Sequence, residues 1–264
     1  MSSWKQVRVL LLLLVLGAVA LNEYLKKTRS MDWSRPMLVV IYPLNADGDS
    51  RTQQYIDGLT QESFTDIREY FKAESLRYGL PSDRYFHIDV ANELVQGPPR
   101  PPRGKAVSTL DIALWSLKFR WFAWQQDGYD RGVPDIQMFV SYYHPDNVSA
   151  VPHSLGLQKG MIGAVHAYAH KKQHLQNNIV IAHEMLHTLG ASDKYDPSSN
   201  EPLFPIGYVN PDKKPLLPQA YAEIMAGRFP VQQAKARMPR SLRQTRIGAA
   251  TALEVGLQKE GVYP

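Results

Sequence analysis

The sequence predicts an α+β domain: a mixed sheet with two or more packed helices, one of them carrying the functional site. Three observations carry that expectation. Short apolar runs bounded by turn residues alternate with long helical patterns, as in one layered core of strands and crossing helices. The stretch from Ile179 to Leu189 is apolar yet carries His183, Glu184 and His187. Beyond Gly190 the chain is rich in proline (Pro197, Pro202, Pro205, Pro211, Pro215, Pro218), so an irregular C-terminal subdomain should follow that helix.

Trp4-Lys5-Gln6-Val7-Arg8 precedes an unbroken apolar run, Val9 to Leu21. A run of that length fits a signal-peptide core, and Ala18-Val19-Ala20 meets the small-residue cleavage pattern. Extended from Val7 through Leu25, the stretch reaches about the twenty residues that span a bilayer. Its leucine-rich composition favours an uncleaved N-terminal membrane helix over residues 1–29. The protein would then be single-pass with an extracytoplasmic domain, or exported or periplasmic if the signal is cleaved. Residues 30–264 form a single domain in either case.

Within that domain, Pro36 to Tyr42 reads as a buried strand closed by Pro43 and a turn-rich segment. A helical pattern from about Thr52 to Tyr78 places Tyr55, Leu59, Phe64, Ile67, Tyr70, Phe71 and Leu76 at roughly helical spacing, and Gly79-Leu80-Pro81 ends it. Arg84 to Val90 is a second strand, with His87 an ordinary member of it. Gln96 to Lys105, with four prolines, is an extended surface connector. Leu110 to Gln126 is an aromatic helix, with Trp115, Phe119, Trp121, Phe122 and Trp124 on several faces; burial in the core is the expectation, a membrane surface the alternative. Pro134 to Tyr143 and Met161 to Tyr168 are the third and fourth strands. A C-terminal helix from about Ser241 to Leu257 should carry part of a solvated basic face that begins at Arg228.

Composition bounds the chemistry. The 264 residues carry a net charge of +5, with 44% hydrophobic and 21% charged residues and no cysteine. Disulfides, thiolate metal ligands and a cysteine-based latency switch are therefore excluded. Residues 1–30 hold five Lys or Arg and one acid, so the rest has 25 basic and 24 acidic residues, a net of +1. That balance gives no electrostatic footprint for nucleic acid. Oligomeric state is not readable from the sequence.

The chemistry sits on His183-Glu184-Met185-Leu186-His187. At 3.6 residues per turn the two histidines share a face and can reach one metal ion, while Glu184 is offset and can hold a water. Two zinc ligands and a general base are the mechanical content of this spacing. Gly190 lets the chain leave the helix and Asp193 return as a third ligand; Glu223 and Asp196 are competitors for that place. His166, His170 and His174 repeat every four residues and would chelate a second metal on one helix. The β-branched and glycine content around them reads instead as strand then loop, where they diverge.

At these residues the chain resembles the metzincin clan of zinc endopeptidases, in the form whose H-E-x-x-H-x-x-G-x-x signature ends in aspartate, as in snapalysin-like and immune-inhibitor-A-like peptidases. His183 to Asp193 is similar to that signature, Asp193-Lys194-Tyr195 to its usual continuation, and Glu223-Ile224-Met225-Ala226-Gly227 to the methionine turn beneath the metal. The resemblance covers roughly Asn178 to Gly227. It implies a metzincin-like zincin fold with Zn2+ held by His183, His187 and Asp193, and Glu184 assisting attack of a zinc-bound water on a peptide bond. Tyr195 is either a donor to the oxyanion or a packing residue of the exit loop. The resemblance also implies that the strand before the active-site helix, Met161 to Tyr168, is an edge strand that pairs with extended polypeptide substrate. Two other readings stand beside this one: a membrane-anchored, metal-binding but inactive interaction protein, and a zinc amidase acting on cell-wall peptides.

Overall fold

The computed structural model of the chain describes residues 4, 6–14, 17, 33, 35–81, 86–104, 106–126, 129 and 132–258. The expected mixed sheet is present with five strands: β1 (Met37–Asn45), β2 (Phe86–Val90), β3 (Ile136–Tyr143), β4 (Leu155–Leu157) and β5 (Ile162–Tyr168). They lie in the order β2-β1-β3-β5-β4. The first four in that order are parallel, and β4 closes the row antiparallel to β5.

The strands alternate as a sheet buried on both faces must. Val39, Ile41, Met138, Val140, Tyr142, Val165 and Ala167 face one cluster; Val40, Tyr42, Phe139 and Ile162 face the other. Against the first face lie α1 (Ser50–Asp57), α2 (Thr65–Arg77) and α4 (His174–Leu189), through Ile56, Ile67, Phe71, Ile181, Met185 and Leu186. Against the second lies α3 (Thr109–Gln125), through Trp115, Phe119, Phe122 and Ala123. The site helix α4 is thus seated on the sheet by its apolar faces, which leaves one face for chemistry.

Several expectations need correction. The helix anticipated from about 52 to 78 is two helices, because Gly58 caps α1 and the Thr60 and Ser63 side chains form a reciprocal cap that restarts the chain as a 3-10 turn before α2. The anticipated C-terminal helix shrinks to α5 (Ala249–Glu254). Its basic face is not simply solvated: Arg246 lies 3.6 Å from buried Glu74 and stacks over Tyr221. The strand before α4 is not an edge. β5 is paired on both sides, and the edge is the three-residue β4, which the sequence reading did not separate from it.

The N-terminal membrane helix is also withdrawn. Among the described residues no helix is long and apolar enough to cross a membrane. The described helical residues of this stretch, 4, 6–14 and 17, supply no such span. Residues 18–25, on which the longer span depended, lie outside the described residues. Single-pass anchoring loses its support with that helix.

β4 crosses directly over α4 at the site. A Cβ added at Gly156 would overlap the Glu184 carbonyl oxygen and stand 2.7 Å from His187 Cβ. Only glycine allows this approach. Gly156→Ala should therefore push the edge strand off the helix and lower stability by about 1–3 kcal/mol, read as a lower urea midpoint. An unchanged midpoint would show that β4 stands away from α4 in solution.

Candidate metal centre

The donor set is built by one helix and the turn that ends it. His183 and His187 sit one turn apart on α4 with their side chains only 15% and 18% exposed. Gly190 then takes the left-handed conformation at φ 108°, which a side chain would strain, and the chain reverses through Gly190 N–H to His187 O and Ala191 N–H to Leu186 O. That reversal returns Asp193 to the helix. Its Oδ1 lies 3.2 Å from His183 Nε2 and 3.2 Å from His187 Nε2. The three donor atoms fall within 4.8 Å of one another, and this is the one such group among the described residues.

Both imidazoles are oriented from behind. His183 Nδ1 donates to the Ile224 carbonyl at 2.9 Å, and His187 Nδ1 donates to the Ala191 carbonyl at 2.8 Å. A carbonyl can only accept, so Nδ1 of each ring carries a hydrogen and Nε2 of each ring is the atom turned toward Asp193. This is the outer-shell arrangement that fixes histidine as a metal ligand. The Ile224 carbonyl comes from the 3-10 turn Ile224–Ala226, whose Met225 is fully buried and whose backbone O accepts from Lys194 N–H at 3.0 Å. The suspected methionine turn thus touches the site twice, once behind His183 and once just after Asp193.

Charge completes the picture. Burial pushes His183 down, but the Asp193 carboxylate and the Ile224 carbonyl outweigh it and raise the imidazole to about 9. Burial raises Asp193, yet hydrogen bonds from His183 and His187 hold the carboxyl well below the usual range. Glu184, buried at 5% exposure, is raised mainly by that burial, and its Oε2 has no hydrogen-bond partner. Two imidazole nitrogens, one carboxylate and an orphaned buried carboxylate oxygen beside them suit a divalent zinc-type ion with a water next to Glu184. The residues fit the group.

The competitors for the third place are occupied elsewhere. Glu223 is fully buried and accepts from Ala226 N–H, Gly248 N–H and Thr251 Oγ1, pinning the Ile224–Ala226 turn to α5. Asp196 caps its own loop through Ser198 and Ser199. Tyr195 is half-buried beside the site, hydrogen-bonded to Asp193 and within reach of the Glu184 charge, which together with burial raise its hydroxyl. The same residue bridges to Pro202, so it stands at the site and in the exit loop at once.

His166, His170 and His174 do diverge. His166 pairs with Tyr143 OH, His170 caps the turn before α4, and His174 is held between Tyr55 OH at 2.7 Å and the Ser63 carbonyl at 2.6 Å. A groove of about 710 Å3 beside His174, at the far end of α4, contains none of the triad. Two positioning features escaped the sequence reading. Gly156 carried no signal outside the fold. Lys194, whose Nζ binds Glu254 at 2.7 Å while its side chain is 1% exposed, clamps the segment behind Asp193, and only its place next to the ligand hinted at a role.

No known family model matches the chain, and no curated protein matches it in sequence.

Two outcomes follow from the geometry. Asp193→Asn should lower zinc affinity by about a hundredfold or more without loss of fold, whereas Glu223→Gln should lower the melting temperature while the folded fraction keeps its metal. Zinc content after gel filtration reads both, and a Glu223 variant that alone loses metal reverses the assignment. The metal must also displace the proton that His183 holds up to about 9. Affinity should then rise by roughly tenfold per pH unit from about pH 7 to 9 and level off above. A flat profile in isothermal titration would show that His183 is already neutral.

Proposed function

We propose that the protein is a zinc-dependent metalloendopeptidase of the metzincin-like type, acting on extended polypeptide. The observation that carries this reading is the convergence of His183, His187 and Asp193 next to Glu184, a buried carboxylate with an unpartnered oxygen. A structural metal site needs no such base.

His183 and His187 would hold the ion through Nε2, and Asp193 would add the charged ligand. Bound there, zinc supplies Lewis acidity to the scissile carbonyl and acidifies a neighbouring water. Glu184, raised by burial, takes the proton from the attacking water and returns it to the amine nitrogen as the C–N bond breaks. Tyr195, already hydrogen-bonded beside Asp193, is placed to donate to the oxygen that becomes negative.

Substrate reaches this site along β4. Its outer edge pairs with no other strand among the described residues, and Gly156 brings it against the backbone of Glu184. A strand added there gains main-chain hydrogen bonds without demanding a particular sequence. This edge favours peptide over a cell-wall amide, and the retained base argues against an inactive binder.

Glu184→Gln should keep zinc but lower kcat/KM on a peptide library by about 10³-fold. Turnover by the variant at the wild-type rate, or none by the zinc-loaded wild type, would overturn the reading.

A further inference from the structure

The aromatic helix α3 is only half used by the core. Phe119 and Ala123 are buried against the sheet, and Trp115 and Phe122 pack beside them. On the opposite side, Leu110, Leu114, Leu117, Trp121 and Trp124 recur at steps of four and three residues and form one stripe. The stripe is open to solvent from end to end: Leu110 is 66% exposed, Leu117 57%, Trp121 59% and Trp124 60%. Isolated apolar residues on a surface need no explanation, but a continuous stripe of three leucines and two tryptophans does.

The charges around the stripe say what it fits. Lys118 and Arg120 lie on α3 at about 80° to either side of the stripe, and no acidic residue occurs from 112 to 125. Arg120 runs its stem along Gly160, and Lys118 is exposed. The one acid of the helix, Asp111, is engaged with Ser108 at its start. The proline-rich segment is tied to the inner side of α3 by Trp115 Nε1 donating to Pro99 O at 2.8 Å. Apolar side chains with tryptophan at one end and cations along both flanks match a helix lying in the headgroup region of an anionic bilayer.

A second copy fits less well. Antiparallel pairing about Leu117 would set Lys118 against its own counterpart.

We infer that α3 is a peripheral docking face for anionic lipid, laid flat on the surface by Leu110, Leu114, Leu117, Trp121 and Trp124 and held by Lys118 and Arg120. Such contact needs no spanning helix. It is independent of the peptidase reading, because α3 lies on the sheet face opposite α4.

The test uses the full chain and co-sedimentation with vesicles of phosphatidylcholine alone or with about 30% phosphatidylserine. The N-terminal apolar run is common to every variant and cancels in the comparison. Wild type should partition at least tenfold more strongly onto the phosphatidylserine vesicles. L117E/W121E should lose about tenfold of that binding, and K118E/R120E should erase the preference for phosphatidylserine. The conservative W121F/W124F variant guards against misfolding: brominated acyl chains should quench wild-type fluorescence markedly more than that of this variant. Equal partition of wild type onto both vesicles, or binding by folded L117E/W121E equal to wild type, overturns the proposal. So does a dimer in sedimentation velocity that L117E/W121E dissolves while vesicle binding is unchanged, which would assign the stripe to a second copy.

Discussion

Two hydrogen bonds from ring nitrogens to backbone carbonyls are the constraint on which the site depends. His183 Nδ1 reaches the carbonyl of Ile224 and His187 Nδ1 that of Ala191. Each fixes a ring plane, and together they aim both Nε2 atoms at one point. The carbonyls come from turns, not from the helix that bears the histidines. The exit turn at Gly190 and the Ile224–Ala226 turn must therefore be placed to within a fraction of an ångström before α4 can present a donor set.

The C-terminal part of the chain does that placing with buried polar groups. Glu223 accepts three hydrogen bonds that join the Ile224–Ala226 turn to Gly248 and Thr251. Lys194 and Glu254 form a second clamp a residue beyond Asp193, with Ser192 in the same network. Left unpaired, buried Glu223 and Lys194 would each cost several kcal/mol, so the two clamps must form together with the turns they hold. The short strands and turns from 191 to 258 look irregular by secondary structure, yet they are the frame of the site.

How far the sequence led depends on whether a feature is local or shared between distant segments. His183, Glu184, His187 and Gly190 were legible because helix periodicity and a left-handed cap are local rules, and the strand positions because both-face burial leaves continuous apolar runs. The break at Gly58 was missed because helical spacing continues across it in Tyr55, Leu59 and Phe64, while the cap depends on the Thr60 and Ser63 pair. The edge role passed from β5 to β4 because three residues ending a loop, Leu155-Gly156-Leu157, carry too little pattern to register as a strand. The membrane helix has no support for a different reason: among the described residues no helix is long and apolar enough to cross a membrane.

The same distinction explains α3. Its composition, apolar on nearly every face, predicts burial, and one face is indeed buried on the sheet. A sheet has only two faces, and a helix lying on one of them can bury no more than about half its circumference. With α1, α2 and α4 on the opposite layer, no described element remains to cover the outer half of α3. Its leucines and tryptophans are thus left over by the fold itself. Exposed leucines and tryptophans with cations on both flanks and no acid between are better matched to an external apolar surface than to a core. The sheet consequently separates two tasks: α4 on one face holds the donor set, and α3 on the other is free to meet a surface without disturbing it.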